Sequence, residues 1–250
     1  MPNPWDVGSA KIFESLGFEA LATTSSGFAG TLGRLDGGAT RDEVLDHARA
    51  LAAAVSIPVS ADLEKCFADA PEGVAETVRL AAQTGLAGCS VEDCRGPGDD
   101  PIYERELAAD RVRAAAEAAH GGATKLVLTG RAENYLRGNP DLADTIERLQ
   151  AYQEAGADVL FAPGVTDFAE LRTLIAAVDR PVNVLPGADT APVAELTTIG
   201  VKRISVGGGF YWVATAAVIA AATELRDHGT YGYRSTVPAG IAAARPAFGA

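Results

Sequence analysis

Two carboxylates two residues apart, Asp62 and Glu64, end the short run Ile57-Pro58-Val59-Ser60-Ala61. Side chains on a strand alternate, so acids at i and i+2 share one face. Two acids there repel unless a cation or a proton intervenes, and hard oxygen ligands suit Mg²⁺. A second acidic tip, Ser90-Val91-Glu92-Asp93, follows one strand–helix unit later, and then a basic one, Thr129-Gly130-Arg131-Ala132-Glu133. These tips are expected to converge on one metal-and-oxyanion site. Asp62, Glu64 and Glu92 read as ligands of one Mg²⁺, some through water, because that ion takes only one or two carboxylates directly. The alternative is a surface carboxylate cluster satisfied by Arg131 and solvent. The planar fork of Arg131 matches a carboxylate or an enolate oxygen. Its alternative is a structural pair with Glu92 or Glu133.

Other polar residues stand at the same ends of apolar runs. Phe18–Thr24 reads as a strand, and the turn Ser25-Ser26-Gly27 after it offers the N–H groups of Ser26 and Gly27 to a substrate carboxylate. Asn183 lies within the apolar run Pro181–Leu185. Gly207-Gly208-Gly209 reads as a closely packed turn in preference to a phosphate cradle. His47, His120 and His228 read as surface residues. Cys66 and Cys94 fall on loops at the same end, each either a reactive thiol or an inert one.

The elements that must position these groups repeat in order. Asp6 is placed to cap a helix over Val7–Leu16, and Thr40-Arg41-Asp42-Glu43 has the spacing of a capping box. Apolar runs at 57–61, 87–91, 125–129, 158–162, 181–185 and 203–206 alternate with helical patterns, one of them starting at Asn139-Pro140. Alternating strands and helices with buried strands mean a parallel sheet. A chain of 250 residues, 48% hydrophobic, suits one (β/α)8 TIM-type barrel over residues 1–250, with its first strand shortened to an N-terminal stub. The competing fold is an open doubly wound sheet, but no G-x-G-x-x-G follows the first strand. The alanine-rich run Val213–Ala222 is too short to span a bilayer and is expected to form a helix buried on most sides.

Bulk properties bound the partners. A net charge of −12 argues against nucleic acid and acidic membrane surfaces. The three cysteines, Cys66, Cys89 and Cys94, fit a reducing cytoplasm better than a disulfide scaffold, and no signal-peptide pattern opens the chain.

In combination, several of these pieces resemble the isocitrate lyase/phosphoenolpyruvate mutase superfamily. They are Pro2-Asn3-Pro4-Trp5-Asp6-Val7-Gly8-Ser9-Ala10, Ala22-Thr23-Thr24-Ser25-Ser26-Gly27, Asp36-Gly37-Gly38, Asp62-Leu63-Glu64, Val91-Glu92-Asp93 and Gly130-Arg131-Ala132-Glu133. The resemblance implies a Mg²⁺-dependent phosphoenolpyruvate/pyruvate-type barrel that makes or breaks C–C or P–C bonds next to a 2-oxo acid through a pyruvate enolate. It also implies a homodimer or homotetramer exchanging its last barrel helix, here the helix after Trp212. Asp62 would ligate Mg²⁺ directly, with Asp36, Glu64 and Glu92 behind it through water. Arg131, Asp36 and Cys94 become the catalytic candidates, and Thr24, Ser26, Gly27, Arg131, Glu133 and Asn183 the substrate-binding ones. Where the lyases carry a Lys-Cys-Gly-His segment, this chain reads Cys94-Arg95-Gly96-Pro97, which points to a mutase-like member over a typical isocitrate lyase. The missing segment also keeps open a barrel that binds 2-oxo acids without turning them over.

Overall fold

A computed structural model describes residues 1–96 and 101–249. The chain opens with helix α1 (Val7–Ser15), strand β1 (Leu21–Ala22) and helices α2 (Ser25–Thr31) and α3 (Arg41–Ala54). Strand–helix units follow: β2 (Val59–Asp62) and α4 (Pro71–Ala81), β3 (Gly88–Glu92) and α5 (Arg105–Gly121), then β4 (Val127–Arg131) and α6 (Leu142–Glu154). The alternation continues through β5 (Val159–Phe161), α7 (Phe168–Ala176), β6 (Val182–Val184), α8 (Val193–Thr198) and β7 (Arg203–Ile204). Helix α9 (Gly209–His228), a 3-10 turn at Gly232–Ser235 and α10 (Val237–Ala247) complete it. Among the described residues, no helix is long and apolar enough to cross a membrane.

All strands pair in parallel and in chain order, β1 to β7. A doubly wound sheet would reverse its order at a switch point, so the barrel-type arrangement holds. The N-terminal stub joins the two sheet edges. The Met1 amino group donates to the Ile204 carbonyl (2.8 Å), and the Pro2 carbonyl accepts from the Ala22 N–H (3.1 Å). Asn3 Oδ1 accepts from the N–H groups of Val206 and Gly207 (2.7 and 3.1 Å), while its Nδ2 donates to the Thr23 carbonyl (2.8 Å). Residues 1–3 therefore occupy the gap where an eighth strand would close the barrel. Pro2 brings no N–H to leave unpaired there.

Local chemistry explains most boundaries. Asp6 accepts from the Ser9 N–H at 2.7 Å and Ser9 Oγ accepts from the Asp6 N–H at 3.2 Å, the expected start of α1. Thr40 and Glu43 close the expected box on α3. The Phe18–Thr24 strand contracts to Leu21–Ala22, because Thr24 leaves the sheet to cap α2. Ser25-Ser26-Gly27 is thus the first turn of a helix. The helix placed at Asn139-Pro140 begins later, where Asp141 accepts from the N–H groups of Ala143 and Asp144. The loop expected to carry Cys94 lies partly outside the described residues, which omit 97–100.

The last long helix departs most from expectation. Its first turn is tied down, Phe210 against Phe13 and Tyr211 against Trp5. Beyond that no residue of α9 is buried, and Val213 and Val218 are each 68% exposed. The apolar composition called for burial, but beyond the first turn the described residues leave the apolar side of the helix exposed.

One buried cation fixes the loop after β2. Arg111 of α5 is 1% exposed and donates to the carbonyls of Lys65 (2.8 Å), Ala68 (2.6 Å) and Asp69 (2.7 Å). Its guanidinium also lies over the Tyr103 ring, 4.2 Å from the centroid. Hydrogen bonds to a charged group are stronger than neutral ones, and removing the donor strands buried carbonyls. Arg111→Met is expected to lower stability by about 3 kcal/mol, read from the urea unfolding midpoint. An unchanged midpoint would mean the loop holds itself.

Candidate active site

Asp62 is the last residue of β2, and its backbone N–H donates to Thr23 Oγ1 at 2.9 Å. Its Oδ1 accepts from the Glu64 N–H (3.2 Å), and its Oδ2 accepts from the Ser25 N–H (3.4 Å) at the start of α2. Glu64 stands just past the strand end with φ 51°, and Cys66 and Phe67 follow at 60° and 57°. Left-handed backbone at non-glycine residues is costly and persists only when the surroundings over-determine it. Here Arg111 holds the carbonyls, and Thr77 Oγ1 donates to the Cys66 carbonyl at 2.8 Å. Asp62 and Glu64 are neighbours because the chain turns sharply, not because the strand runs on.

Arg131 ends β4, directly opposite Glu92 at the end of β3. Its Nη1 pairs with Asp62 (2.9 Å), and its Nη2 with Glu133 (2.6 Å) and Glu92 (3.2 Å). Glu133, 1% exposed at its side chain, also meets Arg137 at 3.2 Å. Burial works against the charge on Arg131, but Glu133, Asp62 and Glu92 outweigh it and raise its pKa further. Burial pushes Glu92 well up, Arg131 opposing and the other acids adding. Burial likewise lifts Glu64 to about 7, followed by repulsion from Asp62 and Asp36, against the pull of Arg131 and Lys65.

The structure brings Asp62, Glu64, Glu92, Arg131 and Glu133 together and sorts the other candidates. Asp36 is exposed, on a loop whose Gly37 lies close to Glu64 Oε2. Thr24 is buried, and its Oγ1 takes the Gly27 N–H (3.3 Å), so that donor is already used. A side chain on Gly27 would lie 2.6 Å from Thr24 Cγ2, so only glycine fits. Ser26 Oγ stands 3.4 Å from Thr24 Oγ1. Asn183 is buried inside the sheet, taking Arg203 Nε (3.0 Å) and donating to Ser205 Oγ (2.8 Å). Cys94 is buried, its Sγ accepting from the Gly96 N–H (3.3 Å), and burial raises its thiol pKa. Cys66 is wholly buried with its pKa raised by burial. Neither thiol has the low pKa of a nucleophile. Asp93 turns away, accepting from Tyr152 (2.5 Å), Arg148 (3.3 Å) and the Glu133 N–H (2.8 Å).

Three residues of this region were not singled out from the sequence. Ser25 is the backbone donor that reaches Asp62, and Arg137 shares Glu133 with Arg131. Arg203 enters the barrel from the start of β7 and reaches Thr129 Oγ1 of β4 at 2.7 Å. His47 is not a surface residue: it stacks on Phe28 at 3.9 Å, and its Nε2 lies 3.0 Å from the Trp5 carbonyl oxygen.

Among the described residues, no three acidic, histidine or cysteine side chains stand together as a ready-made metal cage. Asp62 and Glu92 are turned onto Arg131. The donor set nevertheless fits Mg²⁺, which keeps several waters and needs only one or two carboxylates. Glu64 accepts no hydrogen bond or ion pair through its carboxylate among the described residues. Burial raises its pKa first, and repulsion from Asp62 and Asp36 adds to it.

The sequence profile of the phosphoenolpyruvate phosphomutase family matches residues 1–226. Rv1998c of Mycobacterium tuberculosis is 34% identical over 229 residues, 91% of this chain and 84% of that protein. The 2-methylisocitrate lyase of Escherichia coli K12 is 33% identical over 181 residues, 69% of this chain and 60% of its own. A Burkholderia cenocepacia J2315 structure with a provisional lyase/mutase assignment superimposes with a TM-score of 0.90. It is 50% identical, over 94% of this chain and 85% of that one.

The Glu64 proton has a measurable sign. The folded protein keeps it up to about 7, whereas an unfolded chain loses it near the ordinary value of 4.5. Without divalent cations, Glu64 should therefore lower stability as pH rises through that window, with no further loss above it. The difference between thermal midpoints of Glu64→Gln and the parent should grow from pH 4.5 to 7 and then flatten. Parallel curves would place the proton elsewhere.

Proposed function

This chain belongs to the phosphoenolpyruvate phosphomutase family, and from that premise we propose a Mg²⁺-dependent enzyme that makes or breaks a C–C or P–C bond beside a 2-oxo acid. The observation that carries the reading is a single guanidinium, Arg131, held at the sheet's end by Asp62, Glu92 and Glu133. Four acidic groups, counting Glu64, stand around Arg131, and the protons that burial favours on Glu64 and Glu92 would be displaced by a divalent ion. Asp62 would hold Mg²⁺ directly, with Asp36, Glu64 and Glu92 through water. When bound, that ion supplies Lewis-acid stabilisation of an enolate oxygen.

The chain's own groups then have separate tasks. Arg131 donates to the substrate's 2-oxo oxygen as negative charge builds there during loss or gain of the C3 substituent. Glu133, shared between Arg131 and Arg137, keeps the fork aimed. Ser26 receives the substrate carboxylate, and Thr24, whose Oγ1 already takes the Gly27 N–H, fixes that turn. Asn183 lines a cavity together with Asp62 and Arg131. The thiol of Cys94, with its raised pKa, suits a proton donor better than a nucleophile. A barrel that binds 2-oxo acids without turnover is the second reading, favoured by that buried thiol and by the absent Lys-Cys-Gly-His context.

The assembly is proposed as a homodimer or homotetramer of one (β/α)8 domain spanning residues 1–250. A second copy would cover the uncovered apolar side of α9 by exchange of that helix. Unpaired cysteines fit a cytoplasmic location.

Four measurements test the proposal. Asp62→Ala is expected to abolish Mg²⁺-dependent release of pyruvate or phosphate from oxaloacetate, 2-methylisocitrate or phosphonopyruvate, with its circular dichroism unchanged. Arg131→Lys should lose about 3–4 kcal/mol of transition-state stabilisation, read as kcat/KM. Calorimetric binding of these acids by the parent without turnover would favour the binder. Light scattering should give a dimer or tetramer, and a monomer at micromolar concentration would remove the exchanged helix.

A further inference from the structure

The cavity inside the strand ring measures about 80 Å³ and is lined by Arg203, Asn183 and Ser205 as well as by Asp62 and Arg131. Arg203 differs from the other enclosed guanidiniums. Arg131 and Arg148 pair with carboxylates, and Arg111 is wrapped by carbonyls. Arg203 meets only neutral side chains, Asn183 Oδ1 and Thr129 Oγ1, and no carboxylate pairs with it among the described residues. A cation taken from water without a counter-charge is costly. Burial draws its pKa down to about 10, so it remains charged at neutral pH.

The neighbouring donors point the same way. Arg203 fixes the oxygen end of the Asn183 amide, so the NH₂ end donates to Ser205 Oγ. That leaves the Ser205 hydroxyl proton free for a further acceptor. The hydroxyls of Ser60 and Ser90 line the same cavity and have no hydrogen-bond partner among the described residues. Liquid water takes about 30 Å³ per molecule. The space therefore admits an acidic group in place of a few waters.

We propose that Arg203, with Asn183 and Ser205, forms a second anion-binding position that takes the remote carboxylate or phosphonate of a dianionic 2-oxo acid whose oxo end lies at Arg131. The inference rests on the 2-oxo acid reading above and makes it narrower: the enzyme selects dianions over monoanions. Arg203 acts there as a specificity-determining residue.

The test uses the full chain with Mg²⁺ and three ligands, oxaloacetate, phosphonopyruvate and pyruvate, in calorimetric titrations. Arg203→Met is expected to weaken at least one dianion by about 30-fold while changing pyruvate by less than about threefold, with Arg203→Lys recovering part of the loss. The dianion that suffers more identifies the group, carboxylate or phosphonate. If Arg203→Met does not fold, Ser205→Ala should still weaken that dianion by about fivefold and spare pyruvate. Equal losses for dianions and pyruvate, or none, overturn the proposal. If the parent binds no 2-oxo acid at all, that reading fails separately. Inorganic phosphate at constant ionic strength then probes the anion position. Phosphate should raise the thermal midpoint of the parent and not of the variant, and an equal rise in both would overturn the position.

Discussion

A guanidinium enclosed by protein needs acceptors in place of water, and at Arg131 these are acids from three segments of chain. That requirement ties the site to the sheet. Glu92 faces Arg131 because β3 and β4 pair in that register, and Asp62 faces Ser90 because β2 and β3 do. A slip of one residue along any of these strands would turn its acid to the opposite face. The ladder hydrogen bonds and the apolar outer faces therefore protect the chemistry as well as the fold. Once Arg131 is satisfied, Glu64 pairs with no cation among the described residues, and burial followed by its acidic neighbours raises its proton affinity.

The second constraint is conformational. Glu64, Cys66 and Phe67 all carry left-handed backbone, so the loop after β2 is held by outside force. Arg111 supplies part of it, and Tyr103 connects that clamp to the segment after β3. The Tyr103 ring lies between the guanidiniums of Arg95 and Arg111, its hydroxyl donates to Asp69 at 2.5 Å, and its carbonyl takes Arg148. Two loops bordering the site thus share one aromatic anchor. Strain of this kind is commonly concentrated where function needs a side chain aimed off the regular lattice.

Much of this was legible in the sequence, for identifiable reasons. Strand tips could be placed because apolar runs end abruptly in Asp62, Glu92 and Arg131. Helix starts could be placed where Asp6 or Thr40 has its reciprocal partner three residues on. What failed depended on partners distant in sequence. Ser25-Ser26-Gly27 looks like a turn until Thr24 is known to cap it. The apolar run of α9 signals burial without saying in which molecule the covering surface lies. Arg203, counted only as the start of the run 203–206, drew no role, and only the curvature of the sheet carries it to Thr129. Pairing of Arg131 with the acids was one of two readings the strand tips allowed, and only contacts between strands show it taken by Asp62, Glu92 and Glu133 together.

The treatment of sulfur has a consequence of its own. Cys66, Cys89 and Cys94 are all buried, and enclosure raises each thiol, Cys89 to about 12. Oxidants and alkylating agents attack the thiolate, and almost none exists here at physiological pH. The folded protein should thus be chemically quiet toward peroxide and maleimides, needing no reductant in storage. Labelling of any of the three would report that the structure had opened.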